Sequence, residues 1–345
     1  MPGDFAGLTP DLVLDAVEEA GFAATGHCTP LTCLENRVYD LRLEDGGHVV
    51  AKFYRPGRWD REGLAEEHRF LAELAAAEIP VVVPLPLRDG ASLARAERFL
   101  FALWPRAGGR SPDELREADL AVLGRLLGRL HNVGAAGSAR GRGRLDAASR
   151  VAEPLRVLEE GGFLPGAVAQ RYRSAATRLG EAYETRAAGV PLHRIHGDCH
   201  RGNLLRRDDA FVLLDFDDFT VGPAAADVWM LLPGRDAEAA QQRTRLVAAY
   251  REFRPFDPRW LDLVEPLRAL RFVSYAAWVA RRWSDPSFPD AFPHFGSEAY
   301  WERETEDLER QLALLGGGEA DAAEARGEIA SSGPEPSRRD FFWDL

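Results

Sequence analysis

The segment IHGDCHRGNLL, residues 195–205, places ionisable side chains, a cysteine and an asparagine between apolar ends. Asp198 precedes Asn203 in this segment, and Asp215 closes the next apolar run, AFVLLD. Phosphoryl transfer needs a carboxylate that orients and deprotonates the acceptor hydroxyl, and hard oxygen ligands that hold Mg²⁺ on the phosphates. Asp198 is therefore the candidate base, and Asn203 and Asp215 are the candidate magnesium ligands. Asp198 and Asp215 together are the predicted catalytic residues.

Three side chains of the same segment, His196, Cys199 and His200, allow two other interpretations: a zinc cluster or a plain polar loop. A structural zinc site needs a fourth ligand and a looser spacing than this segment offers. We therefore favour the phosphoryl-transfer interpretation.

A phosphoryl-transfer site also needs a cation for the nucleotide phosphates and an acidic side chain that holds this cation. Lys52 lies in the apolar run VVAKFY, and Glu67, with Glu66 as the weaker alternative, lies in the helical pattern that follows. A single strand lysine means little, but these residues occur together in the required order. We predict that Lys52 contacts ATP phosphates and that Glu67 holds Lys52.

Hydrophobic periodicity and turn residues predict the elements that position these side chains. The first third is expected to contain a helix over 10–20, a hairpin of ENRVYDLRLEDG and HVVAKFYRP, a helix in REGLAEEHRFLAELAAAEI and a strand in RFLFALWP. Further helices are expected in DLAVLGRLLGRLHNVG, from Pro154 to about Ala187, in GPAAADVWMLL and over most of 237–316, with AFVLLDFDD as a strand.

This order of elements predicts an α+β protein with two lobes. Residues 1–106 form a small nucleotide-binding lobe, a β-sheet with a helix and a leading helix, and residues 107–316 form a larger, mainly helical lobe for catalysis and acceptor binding. Residues 317–345, rich in Gly, Ala, Glu and Ser, are expected to be disordered.

Composition narrows the class of protein. The 345 residues carry 43 basic and 55 acidic side chains, a net charge of −12, which argues against a general nucleic-acid or anionic-membrane surface. Three cysteines, Cys28, Cys33 and Cys199, argue against a disulfide framework and for a reducing compartment. The first thirty residues show neither a signal-peptide nor a membrane-anchor pattern. We expect a cytoplasmic monomer.

Nine segments together resemble a known family: ENRVYDL, VVAKFYRPGRWD, EEHRFL, LGRLLGRLHNVG, HGDCHRGNLL, LLDFDD, GPAAADVWMLL, VEPLRAL and RRWSDPSFP. The chain resembles the aminoglycoside phosphotransferase and choline kinase superfamily, and within it the stress response kinase group of bacterial serine/threonine protein kinases. The resemblance implies a protein-kinase-like two-lobed fold and ATP- and Mg²⁺-dependent transfer to protein serine or threonine, with the protein itself among the candidate acceptors.

Residue by residue, the resemblance implies the roles given above to Asp198, Asn203, Asp215 and Lys52. It further implies that His196 braces the catalytic loop and that Asp227 caps the backbone of this loop. Asp217 and Asp218, next to Asp215, are as well suited to a solvated or supporting role as to direct metal ligation.

The sequence departs from the family in the turn expected to cover the nucleotide. Cys33, in LTCLENRVYD, stands where the family often has a serine, so only backbone contacts to ATP are expected to remain at this position. The turn also lacks the G-x-G-x-x-G pattern of eukaryotic protein kinases, so phosphate binding depends on Lys52, magnesium and local backbone amides.

Three functional classes remain. A serine/threonine protein kinase leads; a small-molecule kinase acting on an aminoglycoside, choline or a sugar alcohol is the alternative, and fold cannot separate the two. A non-catalytic nucleotide sensor is disfavoured because all the candidate catalytic residues are retained. The basic and aromatic stretch after residue 265 predicts that Arg281 and Arg282 hold an acidic or phosphorylated protein segment, with Trp278 and Trp283 as apolar contacts. Its other interpretation is a core helix with one charged face.

Overall fold

A computed structural model describes residues 4–316, and the tail predicted over 317–345 lies outside the described residues. The N-terminal part is a five-stranded antiparallel sheet with the strand order β1-β2-β3-β5-β4. Its strands are β1 (Ala24–Leu31), β2 (Arg37–Leu43), β3 (His48–Phe53), β4 (Ala94–Ala96) and β5 (Phe99–Pro105). Two helices accompany the sheet, α1 (Pro10–Glu19) and α2 (Arg61–Ala76).

Strand β3 positions Lys52 by simple alternation. Val49, Ala51 and Phe53 are buried on one face of the sheet, where they pack in a cluster with Val13 and other residues of α1. Because successive side chains of a strand point to opposite faces, Lys52 points to the other face. The predicted hairpin of β2 and β3 is confirmed.

Strand β1 was not predicted from the sequence. It is an edge strand that pairs only with β2, and within it only Ala24 is buried. Pro30 is tolerated there because an edge strand does not need every backbone N–H for pairing. A mostly exposed strand carries no alternating apolar pattern, so periodicity does not reveal it.

The remainder of the chain is mainly helical. Its helices are α3 (Glu117–Ala136), α4 (Glu153–Glu160), α5 (Gly166–Ala187), α6 (Ala225–Leu231), α7 (Ala237–Tyr250), α8 (Val264–Arg281), α9 (Ser287–Ala291) and α10 (Glu298–Gly316). The single helix predicted from Pro154 to Ala187 is two helices, because Gly161 caps α4 and Gly162 adopts a left-handed φ of 67°. Within residues 4–316, no helix is both long and apolar enough to span a membrane.

Four short strands carry the polar segment. Strand β6 (Leu192–Ile195) pairs with β9 (Thr220–Pro223), and β7 (Leu204–Arg207) pairs with β8 (Ala210–Leu213). Residues 196–203 lie between β6 and β7, and Asp215 follows β8. The two antiparallel strand pairs therefore bring the predicted base, Asp198, close to the predicted metal ligands, Asn203 and Asp215.

Helix α2 packs on both parts of the molecule. Leu64 packs with Tyr54 of the N-terminal part, whereas Phe70, Leu71 and Leu74 join the large core of the helical part. The sequence placed this helix in the first lobe alone. The predicted division at residue 106 stays a prediction.

Helices α3 and α7 approach closely at Gly124. A Cβ atom built on Gly124 would lie 2.2 Å from the carbonyl oxygen of Leu246 and 2.9 Å from the Cβ of Ala249. We expect Gly124→Ala to lower the free energy of unfolding by about 1–3 kcal/mol, because the two helix backbones must separate. Denaturant-induced unfolding measures this change.

Gly143→Ala is the matched control, because a Cβ built on Gly143 meets nothing within 4 Å. This variant should change the free energy of unfolding by less than about 0.5 kcal/mol. Equal losses in the two variants would contradict the close contact of α3 and α7.

Candidate active site

Asp227 of α6 holds the start of the polar segment. Its fully buried carboxylate accepts hydrogen bonds from the backbone N–H of His196 at 2.8 Å and of Gly197 at 2.9 Å. His131 Nε2 donates to the same carboxylate at 3.0 Å, and Tyr250 donates its hydroxyl proton to His131 Nδ1 at 2.9 Å. Burial alone would raise the pKa of Asp227, but the hydrogen bond and charge of His131, the charge of His196 and the hydrogen bond from Gly197 together outweigh burial and lower this pKa. The predicted backbone cap is present.

Gly197 lets the segment pass close to the turn that follows Asp215. Its φ is 82°, and a Cβ atom there would lie 2.2 Å from the carbonyl oxygen of Asp218. Only glycine fits both the left-handed conformation and this approach.

His196 connects the two halves of the segment. Its Nδ1 accepts a hydrogen bond from the backbone N–H of Asp198 at 3.3 Å, so Nε2 carries the proton and donates to the carbonyl oxygen of Leu214 at 2.8 Å. The ring also packs 4.3 Å from that of Phe216. His196 therefore braces the loop as predicted.

The zinc interpretation does not fit this geometry. Both ring nitrogens of His196 are engaged, and those of His200 contact Gly202 N–H at 3.0 Å and the carboxylate of Asp198 at 3.3 Å. Cys199 is fully buried, and burial holds the pKa of its thiol well above the usual value. In the part of the chain that the structure describes, no group of three or more His, Cys, Asp or Glu could hold a metal ion.

Asp198, the predicted base, lies between two cationic or donating groups. Its Oδ1 is 3.0 Å from Arg271 Nη1, and its Oδ2 is 3.3 Å from His200 Nε2. Burial would raise the pKa of Asp198, but Arg271 first and His200 second outweigh burial and hold this pKa well below its usual value. Asp198 is therefore ionised and accepts hydrogen bonds.

Asn203 is oriented by Asp198 itself. Its Nδ2 donates to the backbone carbonyl oxygen of Asp198 at 2.9 Å, and its own backbone carbonyl accepts from Leu214 N–H at 2.9 Å. With the amide nitrogen engaged, the amide oxygen is the atom available to a ligand.

Asp215 joins this group to the sheet. Its Oδ1 is 2.8 Å from Lys52 Nζ, and its φ of 52° and ψ of 74° lie in the left-handed region, which is uncommon for a residue with a Cβ. Burial would lower the pKa of Lys52, but the charges of Asp215 and Asp217 outweigh burial and raise this pKa well above its usual value. The structure therefore brings Lys52, Asp198, Asn203 and Asp215 together.

Asp217 is a buried carboxylate beside Lys52. Its Oδ2 accepts from Arg58 Nη1 at 2.6 Å and from Asn36 Nδ2 at 3.0 Å. Its Oδ1 lies 3.8 Å from Lys52 Nζ and, within residues 4–316, has no hydrogen-bond partner. Burial opposes ionisation, but Arg58 and Lys52 lower the pKa of Asp217.

These oxygens suit a hard divalent cation. The candidates are the amide oxygen of Asn203, the exposed carboxylate of Asp215 and the unpaired Oδ1 of Asp217. Mg²⁺ commonly takes one or two carboxylates, together with water and phosphate oxygens, rather than a closed protein cage. The donor set therefore fits Mg²⁺.

The predicted ion pair of Lys52 with Glu67 is not what the structure shows. Glu67 Oε2 instead lies 3.0 Å from Arg142 Nη2, and Arg142 Nη1 donates to the backbone carbonyl of Asp217 at 2.5 Å. Burial raises the pKa of Glu67 to about 7, against the opposing charges of Lys52 and Arg142. Glu67 thus supports the turn after Asp215 through Arg142.

Glu66, the weaker alternative, has a different structural role. Its two carboxylate oxygens accept from the backbone N–H groups of Arg140 at 2.7 Å and Gly141 at 2.8 Å. It therefore fixes the loop after α3 rather than Lys52.

Cys33 lies in the turn between β1 and β2, close enough to Asp215 and Lys52 for their charges to affect it. Its Sγ accepts a hydrogen bond from the backbone N–H of Asn36 at 3.4 Å, and burial raises the pKa of its thiol. The thiol is thus not an activated nucleophile, and its contact with ATP stays a prediction.

Sequence reasoning missed the arginine that connects the turn after Asp215 to the sheet. Arg58 Nη1 contacts Asp217 at 2.6 Å, and its Nη2 contacts Asp218 at 2.7 Å. Glu35, in the turn after Cys33, lies 3.4 Å from Arg58 Nη1. The signal was limited to the position of Arg58 in VVAKFYRPGRWD, six residues after Lys52.

The role predicted for Arg282 does not fit the structure, whereas the role predicted for Arg281 stays a prediction. Arg282 is buried, with Nη2 2.7 Å from Glu35 Oε1, and its guanidinium lies over the ring of Trp278. Arg281 forms an ion pair with Glu153. Both arginines are therefore engaged within the fold, and α8 matches the other interpretation, a core helix with one charged face.

Comparison with known proteins extends this picture. Residues 28–264 match the model of the phosphotransferase enzyme family. The chain is 39% identical over 312 residues to stress response kinase A of Salmonella paratyphi A, covering 90% of this chain and 94% of that protein. The same identity and coverage hold for serine/threonine protein kinase RdoA of Salmonella typhimurium, and stress response kinase A of Escherichia coli K12 is 38% identical over 319 residues.

Solved structures support the fold. Amicoumacin kinase hAmiN, in complex with AMP-PNP, Ca²⁺ and Ami, matches with a TM-score of 0.68 at 18% identity, over 86% of this chain and 93% of that one. A microcompartment-associated aminopropanol kinase matches with a TM-score of 0.67 at 20% identity, over 89% and 99% of the two chains. The predicted kinase-like α+β fold is confirmed. The chain belongs to the phosphotransferase enzyme family and is an ATP-dependent phosphotransferase.

Proposed function

We propose that this protein transfers the γ-phosphoryl group of ATP to serine or threonine hydroxyls of a protein, itself included, in a stress response. The observation that carries this proposal is the 39% identity, over 90% of the chain, to a relative named as a serine/threonine protein kinase. Asp198 and Asp215 occupy one site beside Lys52, as such a transfer requires.

In the proposed reaction, Asp198 accepts the proton of the acceptor hydroxyl. The hydroxyl oxygen forms a bond to the γ-phosphorus, the bond from that phosphorus to the bridging oxygen breaks, and ADP leaves. The contacts of Asp198 with Arg271 and His200 support this role, because they keep its carboxylate ionised and in one orientation.

We propose Mg²⁺ as the metal, held by Asn203 and Asp215, with Asp217 close by. When bound, the metal would neutralise the phosphate charge. Lys52 would contact the phosphates, since its ammonium group is charged and faces the same carboxylates. The amicoumacin kinase complex, which contains AMP-PNP and Ca²⁺, supports a divalent cation at this site.

We also propose that residues 1–106 and 107–316 act as two lobes with the nucleotide between them. Lys52 from the sheet and Asp215 from the helical part support this division, because they meet across it. The three cysteines are free thiols, which suits the proposed reducing, cytoplasmic setting.

Transfer to a small alcohol is the second candidate. The observation in its favour is that matching solved structures include amicoumacin and aminopropanol kinases and a spectinomycin phosphotransferase. Labelled ATP, offered with generic protein acceptors and with a panel of small alcohols, separates the two. We expect label on protein; label on a small alcohol alone would replace the first proposal.

Asp198→Asn should lower the rate of phosphoryl transfer by about 10² to 10⁴, because the amide cannot accept the hydroxyl proton. Nucleotide binding should persist, since Lys52 and Asp215 are unchanged. Asp209→Asn is the control, as the Asp209 side chain is 97% exposed. Full turnover by the Asp198 variant would remove this residue from the mechanism.

Asp215→Ala should abolish Mg²⁺-dependent nucleotide binding, because the metal loses a carboxylate and Lys52 loses its partner at 2.8 Å. Asn203→Ala should weaken binding less, since an amide oxygen has no formal charge. Calorimetric titration of a non-hydrolysable ATP analogue at several Mg²⁺ concentrations measures both. Titrations that match the unaltered protein in both variants would contradict the assignment.

ATP with Mg²⁺ should slow the alkylation of Cys33, because the nucleotide would cover its turn. Labelling should also keep accelerating above pH 9, since burial raises the pKa of this thiol and the thiolate is the reactive form. Cys28 is an internal control, half-buried and with a raised pKa, but packed against the α1 face of the sheet. Labelling of Cys33 that ATP leaves unchanged would place the nucleotide elsewhere.

A further inference from the structure

Arg150 is an unmatched cation beside the candidate active site. It lies in the π-helical turn Ala148–Ala152, directly before α4. Within residues 4–316 its guanidinium makes no ion pair and no hydrogen bond, whereas Arg58 pairs with Asp217 and Arg271 pairs with Asp198. Arginine stays charged at all ordinary pH values, so this side chain carries an uncompensated positive charge.

A small cavity opens in front of Arg150. Its volume is about 40 Å³, and its lining includes Arg150, Gly197, Trp229, Leu267, Arg271 and Ser274. One water needs roughly 10–15 Å³ on this measure, so the cavity accepts a few waters or one small chemical group. It is far below the roughly 300 Å³ of a pocket that encloses a drug-sized ligand.

This cavity is bordered by Gly197 and Arg271, the neighbours of Asp198, and lies apart from Lys52. The charges that act on Arg150 belong to Asp218, Arg271, Asp198 and Arg58. Those that act on Lys52 belong to Asp215, Asp217, Glu67 and Tyr54. The two sets share no residue, and none of Lys52, Cys33 and Asp215 lines the cavity. The cavity therefore faces the acceptor side of the site.

A half-buried guanidinium without a direct ion pair is costly, because it loses water without gaining a hydrogen-bonded partner. Two arginines that flank one cavity are suited to phosphate or carboxylate oxygens, which accept from the planar guanidinium fork. The apolar wall of Trp229 and Leu267 excludes water from such a contact and strengthens it.

We propose that the cavity between Arg150 and Arg271 binds an anionic group of the acceptor, so that the hydroxyl presented to Asp198 belongs to a substrate carrying a nearby phosphate or carboxylate. The inference rests on the proposed function in one respect, namely that the acceptor is a protein. The anionic requirement itself follows from the cavity and its arginines.

The test compares peptides that differ only beside the target serine: one with a phosphoserine, one with a glutamate and one with neutral residues there. We expect kcat/KM for the anionic peptides to exceed that for the neutral peptide by roughly 10- to 100-fold, the order expected of a hydrogen bond to a charged group. Arg150→Ala should bring this ratio towards one, and Arg150→Lys should keep part of it.

Arg144→Ala is the matched control, because Arg144 lies six residues before Arg150, is exposed and does not line the cavity. This variant removes the same charge outside the cavity. Its ratio of kcat/KM for the anionic peptides to kcat/KM for the neutral peptide should therefore match that of the unaltered protein. Two results would overturn the inference: no anionic preference in the unaltered protein, or a loss in Arg150→Ala that is equal for anionic and neutral peptides.

A binding measurement separates failure of this inference from failure of the proposed function. The phosphoserine peptide is titrated calorimetrically into the full chain with a non-hydrolysable ATP analogue, and Arg150→Ala should weaken binding by roughly tenfold or more. If only small alcohols accept phosphate, the protein-kinase proposal fails, and the same ratio is measured with a sugar phosphate against the neutral sugar. Equal binding of the peptide to both proteins would refute the anion site.

Discussion

The buried carboxylate of Asp217 is the interaction on which the site depends. It lies in the helical part of the chain but accepts hydrogen bonds from Asn36, in the turn before β2, and from Arg58, in the loop after β3, and it faces Lys52. Removing one partner of such a buried charge typically costs about 3–5 kcal/mol, because the other charge is left without compensation. The position of Lys52 relative to Asp215 therefore depends on the contacts of Asp217 with Asn36 and Arg58.

Asp227 holds the segment of Asp198 in place in a similar way, but its contacts lie within the helical part alone. Its hydrogen bonds with His196 and His131 are buried and that with Gly197 is partly buried, so short contacts from one carboxylate hold the segment that contains Asp198. Asp198 is thus anchored within the helical part, whereas Lys52 of β3 contacts Asp215 of the helical part. A relative movement of the halves would change the distance from Lys52 to Asp215 before it changed the geometry around Asp198.

Charge is distributed unevenly around Asp198. On the proposed nucleotide side, Arg58 pairs with Asp217, which leaves the exposed Asp215 beside Lys52 as the carboxylate open to a divalent cation. On the proposed acceptor side, Arg271 pairs with Asp198, whereas Arg150 makes no ion pair within residues 4–316, although the charge of Asp218 acts on it. The two sides of one aspartate thus attract opposite charges, although the chain as a whole carries a net charge of −12.

Local sequence patterns determined much of this protein. Hydrophobic periodicity and residue type within contiguous stretches predict the strand of Lys52, the segment from His196 to Asn203, the strand before Asp215 and most helices. Only the tertiary structure decided which groups the charged and polar side chains contact. Glu67 contacts Arg142 rather than Lys52, Arg282 contacts Glu35 rather than an acceptor, and Asn36 meets Asp217 across 181 residues of chain. A charged side chain on a helix face can reach several oppositely charged groups, and the sequence specifies the face but not the neighbour, because ion pairing depends on how helices and strands pack.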